Sequence, residues 1–280
     1  MSLNMSVELP QLLALGGAMI ATGAFAGVMA GLLGVGGGIV IVPALFMFMD
    51  AMGVEPAVRM HVAVGTSLAI IIPTSIRSAR AHSKRGSVDS ELLKSLAPWL
   101  FIGVLVGAVL AGYVSGVALT SVFAVVALLV ATNMAFKNED KPLIGGGLPG
   151  TGGRIAMGGI IGALSTMMGI GGGTLTVPTL SAFGYPMRRA VGTASAAGAI
   201  IAIPGTIGFI ISGMGEAGRP PLSLGYVNLL GLALIFPMSM LLAPWGAKIA
   251  HTIPPKVLRL AFAAFLAFTS ARMFYDVLGA

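Results

Sequence analysis

The sequence predicts an all-α integral membrane protein made of two inverted five-element repeats, with broken or re-entrant helices at a pair of glycine turns. Three observations predict it. Only 9% of the 280 residues are charged and 56% are hydrophobic, whereas a soluble domain is about a quarter charged. The apolar runs reach about twenty residues between short polar loops, the length of a bilayer-crossing helix, and lack the every-second-residue alternation of barrel strands. Finally, Gly34 to Pro43 reads GVGGGIVIVP and Gly169 to Pro178 reads GIGGGTLTVP, with six identical positions at an offset of 135 residues from 34 to 169. A glycine-broken apolar segment in each half is the sequence pattern of inverted-repeat transport sites.

The first repeat covers residues 1–136. Leu9 to Leu33 is an unbroken apolar run in which Gly23, Gly27 and Gly31 recur every four residues, a small-residue ridge suited to close helix contact. Ile39 to Met52 restarts after the triple glycine. Ala57 to Ala81 contains Ala63-Val64-Gly65-Thr66 and ends in Arg77 and Arg80, and Leu92 to Val114 and Ala118 to Phe136 complete the half. Residues 137–153 read as a flexible linker, KNEDKP followed by GGGLPGTGG.

The second repeat, 154–280, follows the same order. Arg154 to Met168 carries Gly158 and Gly162, and Arg189 to Ile211 carries Ala190-Val191-Gly192-Thr193, the counterpart of Ala63 to Thr66. Leu222 to Ala247 and Pro255 to Tyr275 close the chain. Thr174 to Phe183 is ten residues, about 15 Å of helix against a hydrocarbon core of about 30 Å, so it reads as a half-helix or the return limb of a hairpin. The basic residues Arg77, Arg80, Lys84, Arg85 and Lys94 place the loop after the third element in the cytoplasm. Alternate crossing puts the linker, Arg188/Arg189 and Lys248/Lys256/Arg259 on that side. An odd number of elements per half then makes the repeats inverted.

Several functions are excluded. No extramembrane stretch is long enough to fold alone, so the net charge of +7 reflects positive-inside loops and not nucleic-acid binding. With no cysteine, thiolate catalysis and cysteine-based metal sites are ruled out, and no HExxH or embedded carboxylate pair suggests an intramembrane enzyme or a resident metal or cofactor. The start, MSLNMSVELP, has no basic leader and carries Glu8, which predicts a retained first helix.

Three adjacent glycines cost helix stability and leave main-chain amides unprotected, which lipid does not tolerate. The helix that restarts afterwards turns its free N–H groups and positive dipole end back towards the break, and such an end attracts anions. Gly36, Gly37 and Gly38 with Gly171, Gly172, Gly173 and Thr174 are therefore the candidate substrate-binding residues, as a paired anion cradle. Close packing is the competing reading of the glycines. Thr66, Ser67, Thr193 and Ser195 recur behind the same Ala-Val-Gly and are the next candidates, against the alternative that they bond back to their own helices. His61, Arg59 and Arg189, and the helix amides Asn133 and Asn228, carry mainly structural expectations. No carboxylate falls in the middle of an apolar element, which argues against a dedicated proton relay and for a small anionic substrate moving down the membrane potential.

The two G-x-GGG-x-x-x-VP phrases, each after a glycine-rich first helix, and the following A-V-G-T segments resemble the TauE/SafE family of probable sulfite and organosulfonate exporters over nearly the whole chain. The resemblance implies a multi-pass permease of the bacterial inner membrane for sulfite, sulfoacetate or a related sulfonate. It also implies substrate roles for the two glycine triplets, Thr66 and Thr193. An anion channel on the same turns, or an uptake permease for another organic anion, is the alternative.

Overall fold

A computed structural model describes residues 9–34, 36–136, 147–249, 252 and 254–279. The described chain is helical almost throughout: α1 (Leu9–Leu33), α2 (Gly38–Ala51), α3 (Pro56–Ser83), α4 (Ser90–Tyr113), α5 (Gly116–Phe136), α6 (Thr151–Met167), α7 (Gly173–Ala182), α8 (Met187–Gly213), α9 (Leu229–Ile249) and α10 (Pro255–Leu278). Among these, α1, α3, α4, α5, α8 and α9 are long and apolar enough to cross a bilayer. Most of the predicted linker (137–146) and most of the start read for a leader (1–8) lie outside the described residues.

Local sequence accounts for where the helices begin. Pro56 opens α3 at a position where the lost N–H has no helical partner to lose. Asp89 caps α4, its carboxylate accepting from the N–H groups of Glu91 and Leu92 at 3.1 and 3.0 Å. The element expected from Leu222 starts as a helix only at Leu229. Before it, Ser223–Leu224 (β1) and Val227–Asn228 (β2) pair as a minimal antiparallel hairpin. Pro220 and Pro221, with Leu222 and Gly225 at positive φ, bar a helix there despite the apolar composition, and Asn228 Oδ1 caps α9 by accepting from Gly231 N–H at 2.8 Å.

Small residues set the helix pairing. A Cβ on Gly23, Gly27 or Gly31 of α1 would overlap the carbonyls of Ile235, Ser239 and Ala243 of α9 in turn. The rising order makes the two helices parallel. Gly103 and Gly107 of α4 abut Gly159 and Ala163 of α6 in the same way, and Gly112 and Gly208 bring α4 parallel to α8 through Ser212 and Ala108. Between these layers α3 and α8 cross antiparallel, with Gly205 against Leu68 and Gly198 against Ser75. Bonds from Asn228 to Thr66 and between Thr74 and Ser239 align α3 with α9. Thus α1, α3 and α9 point one way and α4, α6 and α8 the other. α5 packs with α10 at the edge, while the short α2 and α7 lie on α3 and α8.

Candidate functional site

The two glycine phrases share their terminal and starting glycines and differ at Gly36, whose φ is 74° where Gly171 is not left-handed. Each first helix ends in a glycine at positive φ, Gly34 at 67° and Gly169 at 66°, and each short helix begins after another, Gly37 at 81° and Gly172 at 73°. These four conformations are ones that L side chains rarely adopt. The first main-chain acceptors of the new helices are Gly37 O, reached by Val40 and Ile41, and Gly172 O, reached by Leu175 and Thr176. The N–H groups of Gly38, Ile39, Gly173 and Thr174 therefore precede the helical ladder, where the positive dipole end is concentrated. Pro43 and Pro178 withhold an N–H from the carbonyls of Ile39 and Thr174 one turn in.

The breaks meet each other. A Cβ on Gly38 would stand 2.5 Å from Gly169 O and 2.9 Å from Ile170 Cα. Each terminal glycine is also pressed against the Ala-Val-Gly-Thr segment of the other half: a Cβ on Gly34 would overlap the carbonyl of Val191, and one on Gly169 would stand 2.8 Å from Val64 Cα. Ser67 Oγ donates to Gly169 O at 2.7 Å, and Ser195 Oγ donates to Val191 O and accepts from Ser78 Oγ at 3.2 Å. The contact is closed: Gly36, Gly37, Gly38, Gly171, Gly172, Gly173 and Thr174 are all buried.

Thr66 and Thr193 have matching tasks in opposite halves. Thr66 Oγ1 accepts the N–H of Asn228 at 2.8 Å, and Thr193 Oγ1 accepts that of Asp89 at 2.9 Å. Each donating residue immediately precedes a helix. The preceding glycines make room for the same chain, a Cβ on Gly65 meeting Tyr226 O at 2.6 Å and one on Gly192 overlapping Ser87 O. Gly-Thr is thus a docking joint for the start of the fourth helix of the other half, with both hydroxyls occupied by main chain.

Besides His61 Nδ1 and Asp276 Oδ2, which lie elsewhere, the buried polar atoms without a partner among the described residues are four hydroxyls on or beside the broken segments. Ser75, Ser165, Thr174 and Thr176 are at most 2% exposed, and their hydroxyls have no hydrogen-bond partner among the described residues. Ser75 is the central one. Its Oγ lies 3.0 Å from the position a Cβ would take on Gly36 and 2.5 Å from that on Gly198, which is itself 2.9 Å from Gly171 O. One uncommitted hydroxyl therefore stands between the two breaks. Buried polar groups normally find partners, and each exception requires a reason. Sequence reasoning missed Ser75 and Ser165; the available signal for Ser75 was Pro73-Thr74-Ser75, a proline and two hydroxyls inside the most buried of the candidate spans.

The other candidates are tied down. Arg59 pairs with Asp50 at 2.7 Å and donates to Val54 O, while its guanidinium lies over the Phe46 ring. The His61 ring stacks on Tyr226, with Nε2 between the carbonyls of Ala111 and Val114. Asn228 supports the turn before α9 through Pro221 O and Ser223 Oγ. Arg189 pairs at 2.8 Å with Asp89, which also accepts from Tyr185. Asp89 is held below the usual carboxylate range by the Leu92 N–H and Tyr185 hydroxyl bonds, and Tyr185 is pushed up to about 12 by burial and by Asp89. This joint stays a carboxylate and a phenol throughout the neutral range. A wide furrow between α4 and α8, lined by Phe101, Leu105, Val109, Ile203, Ile207 and Ile211, is apolar and suits acyl chains, not a small charged solute.

Comparison with known proteins agrees with a transport role. The family model for the sulfite exporter TauE/SafE matches residues 19–273. A probable membrane transporter protein of Haemophilus influenzae is 34% identical over 253 residues, covering 90% of this chain and 95% of the relative. Proteins of the same description from Methanocaldococcus jannaschii and Bacillus subtilis are 28% and 27% identical, covering 89% and 92% of this chain and 91% and 97% of their own lengths. No solved structure matches. A multi-pass helical bundle with buried, paired helix breaks, matched over nearly its whole length, belongs to the TauE/SafE family of membrane transport proteins.

Proposed function

We propose that the protein exports small sulfur-containing anions, such as sulfite or sulfoacetate-like organosulfonates, across the bacterial inner membrane by alternating access. The observation that carries this reading is the uncommitted Ser75 hydroxyl between the two glycine breaks. An oxyanion is an acceptor with several lone pairs, and hydroxyls and unpaired main-chain N–H groups are the donors it needs. In the proposal Gly36, Gly37, Gly38, Gly171, Gly172, Gly173 and Thr174 form the cradle, joined by Ser75 and Thr176. Thr66, Ser67, Thr193 and Ser195 hold its frame through the bonds described above.

Alternating access requires two bodies that move about a shared site. The proposed bodies are the repeats 1–136 and 154–280, related by inversion. The opposed directions of α1 and α6, of α3 and α8, and of α4 and α9 support that relation. The closed contact of the breaks corresponds to an occluded conformation from which either side opens. Exporting one negative charge from a negative-inside cell releases about 2.3 kcal/mol per 100 mV, so no coupling ion is needed.

The test uses purified protein in lipid vesicles. Entry of labelled sulfite is expected to saturate and to be accelerated by unlabelled sulfite or sulfoacetate preloaded inside. Linear entry without acceleration would identify a pore, and no entry of either anion would remove the substrate assignment.

A further inference from the structure

We propose that the site is matched to one negative charge, so that the carried species are monoanions, hydrogensulfite or a sulfonate, and dianions of similar size are rejected. This rests on the reading of the breaks as the binding site. The N-terminus of a helix carries roughly half of an elementary positive charge. One begins at each break, at Gly38 and Gly173, and together they offer roughly one unit. The side chains that line the breaks add hydrogen-bond donors but no formal charge: Ser75, Thr174 and Thr176 are hydroxyls, and Ile71, Val64 and Ile201 are apolar.

Charged side chains lie outside this lining: Arg77 and Arg80, which follow Ser75 on α3, are exposed. Arg59 is paired with Asp50 near one end of α3, and Arg189 with Asp89 at the start of α8. Two histidines are carried by the same central helix. His82 Nε2 binds Gly31 O on α1, a turn before the first break, and His61 is stacked on Tyr226. The cost of removing an ion from water rises with the square of its charge, and in a buried site fixed dipoles must replace the lost hydration. A monoanion is neutralised by the two helix ends. A dianion leaves one charge uncompensated, with the hydroxyls alone to answer it.

Methanesulfonate and methylphosphonate separate the charge from the shape. Both are small tetrahedral oxyanions, but the sulfonate keeps one charge at all working pH values whereas the phosphonate gains its second near neutrality. Each is titrated by calorimetry into the purified protein below and above that ionisation. Methylphosphonate affinity is expected to fall about tenfold per pH unit above it, following the shrinking monoanion fraction, while methanesulfonate affinity stays level. Both probes meet the same protein groups at each pH, so the ratio of their affinities is the readout. A constant ratio, or tighter binding of the dianion, would overturn the charge matching while leaving the binding site in place. Failure of both probes to bind would remove the site and the inference together.

Discussion

Thr193 and Ser75 are both buried hydroxyl residues of the central helix pair, and they differ in what the hydroxyl holds. Thr193 accepts the N–H of Asp89, so Thr193→Val strands a buried donor at the start of α4. The expected cost is about 1–3 kcal/mol of stability, read as a lower unfolding midpoint in detergent. Ser75 Oγ holds nothing within the protein, and Ser75→Ala removes an unpaired polar atom. Its midpoint is expected to stay or rise, while affinity for sulfite or a sulfonate falls roughly tenfold, the worth of about one hydrogen bond to an anion. The opposite pattern, a destabilised Ser75→Ala with unchanged affinity, would exchange their roles. Recurrence drew attention to Thr66 and Thr193, and recurrence is what a joint built twice produces. Ser75 has no such signal, because the offset from Gly65 to Gly192 carries it onto Ala202. An asymmetric group at the middle of a duplicated fold is invisible to a search for repeats.

Glycine does two different jobs in the helices, and the sequence separates them by spacing. Glycines four apart, as at Gly23, Gly27 and Gly31, form ridges that let α1 lie against α9. Adjacent ones, at Gly36 to Gly38 and Gly171 to Gly173, stop one helix and start the next. Gly27→Ala is expected to force α1 from Ser239 of α9 and to cost about 1–3 kcal/mol, as overpacking does. Gly17→Ala, on the same helix with nothing within 4 Å of its Cβ position, is expected to be neutral or to stabilise by about 0.5–1 kcal/mol. Equal unfolding midpoints for the two variants in detergent would mean that α1 and α9 are not in the contact described. Element order, the shortness of α7 and both breaks were legible because each rests on local chain properties. The start of α9 was not, since apolar content at Leu222 and Leu224 looks helical until the positive φ values and the cap at Asn228 are known. The docking of each fourth helix on the other half was equally hidden, because no local pattern encodes a contact 104 or 162 residues away.

Seen as a whole, the molecule has two faces defined by which loops touch. On one, the loop between α3 and α4 meets the start of α8: Ser87 lies against Gly192, and Asp89 binds Tyr185 and Arg189. On the other, the chain before α3 meets the start of α5 and the turn after α8, with Gly116 beside the Pro56 carbonyl and Gly218 beside Glu55. The first face carries the cations Lys84, Arg85, Arg188 and Arg189, while the second mixes Asp50, Glu55 and Glu216 with Arg59 and Arg219. The orientation proposed from positive-inside bias has the first face in the cytoplasm and the second outside. Because the chain contains no cysteine, one introduced thiol reports its own location without background. Lys84→Cys and Glu216→Cys are suited to this, as both positions are exposed. A membrane-impermeant maleimide added to intact cells is expected to label Glu216→Cys and spare Lys84→Cys, and inside-out vesicles are expected to reverse the result. Labelling of both from one side would place the two loops on a single face. That outcome contradicts the opposed directions of α3 and α8, and with them the proposed inversion that lets one buried site open to either side.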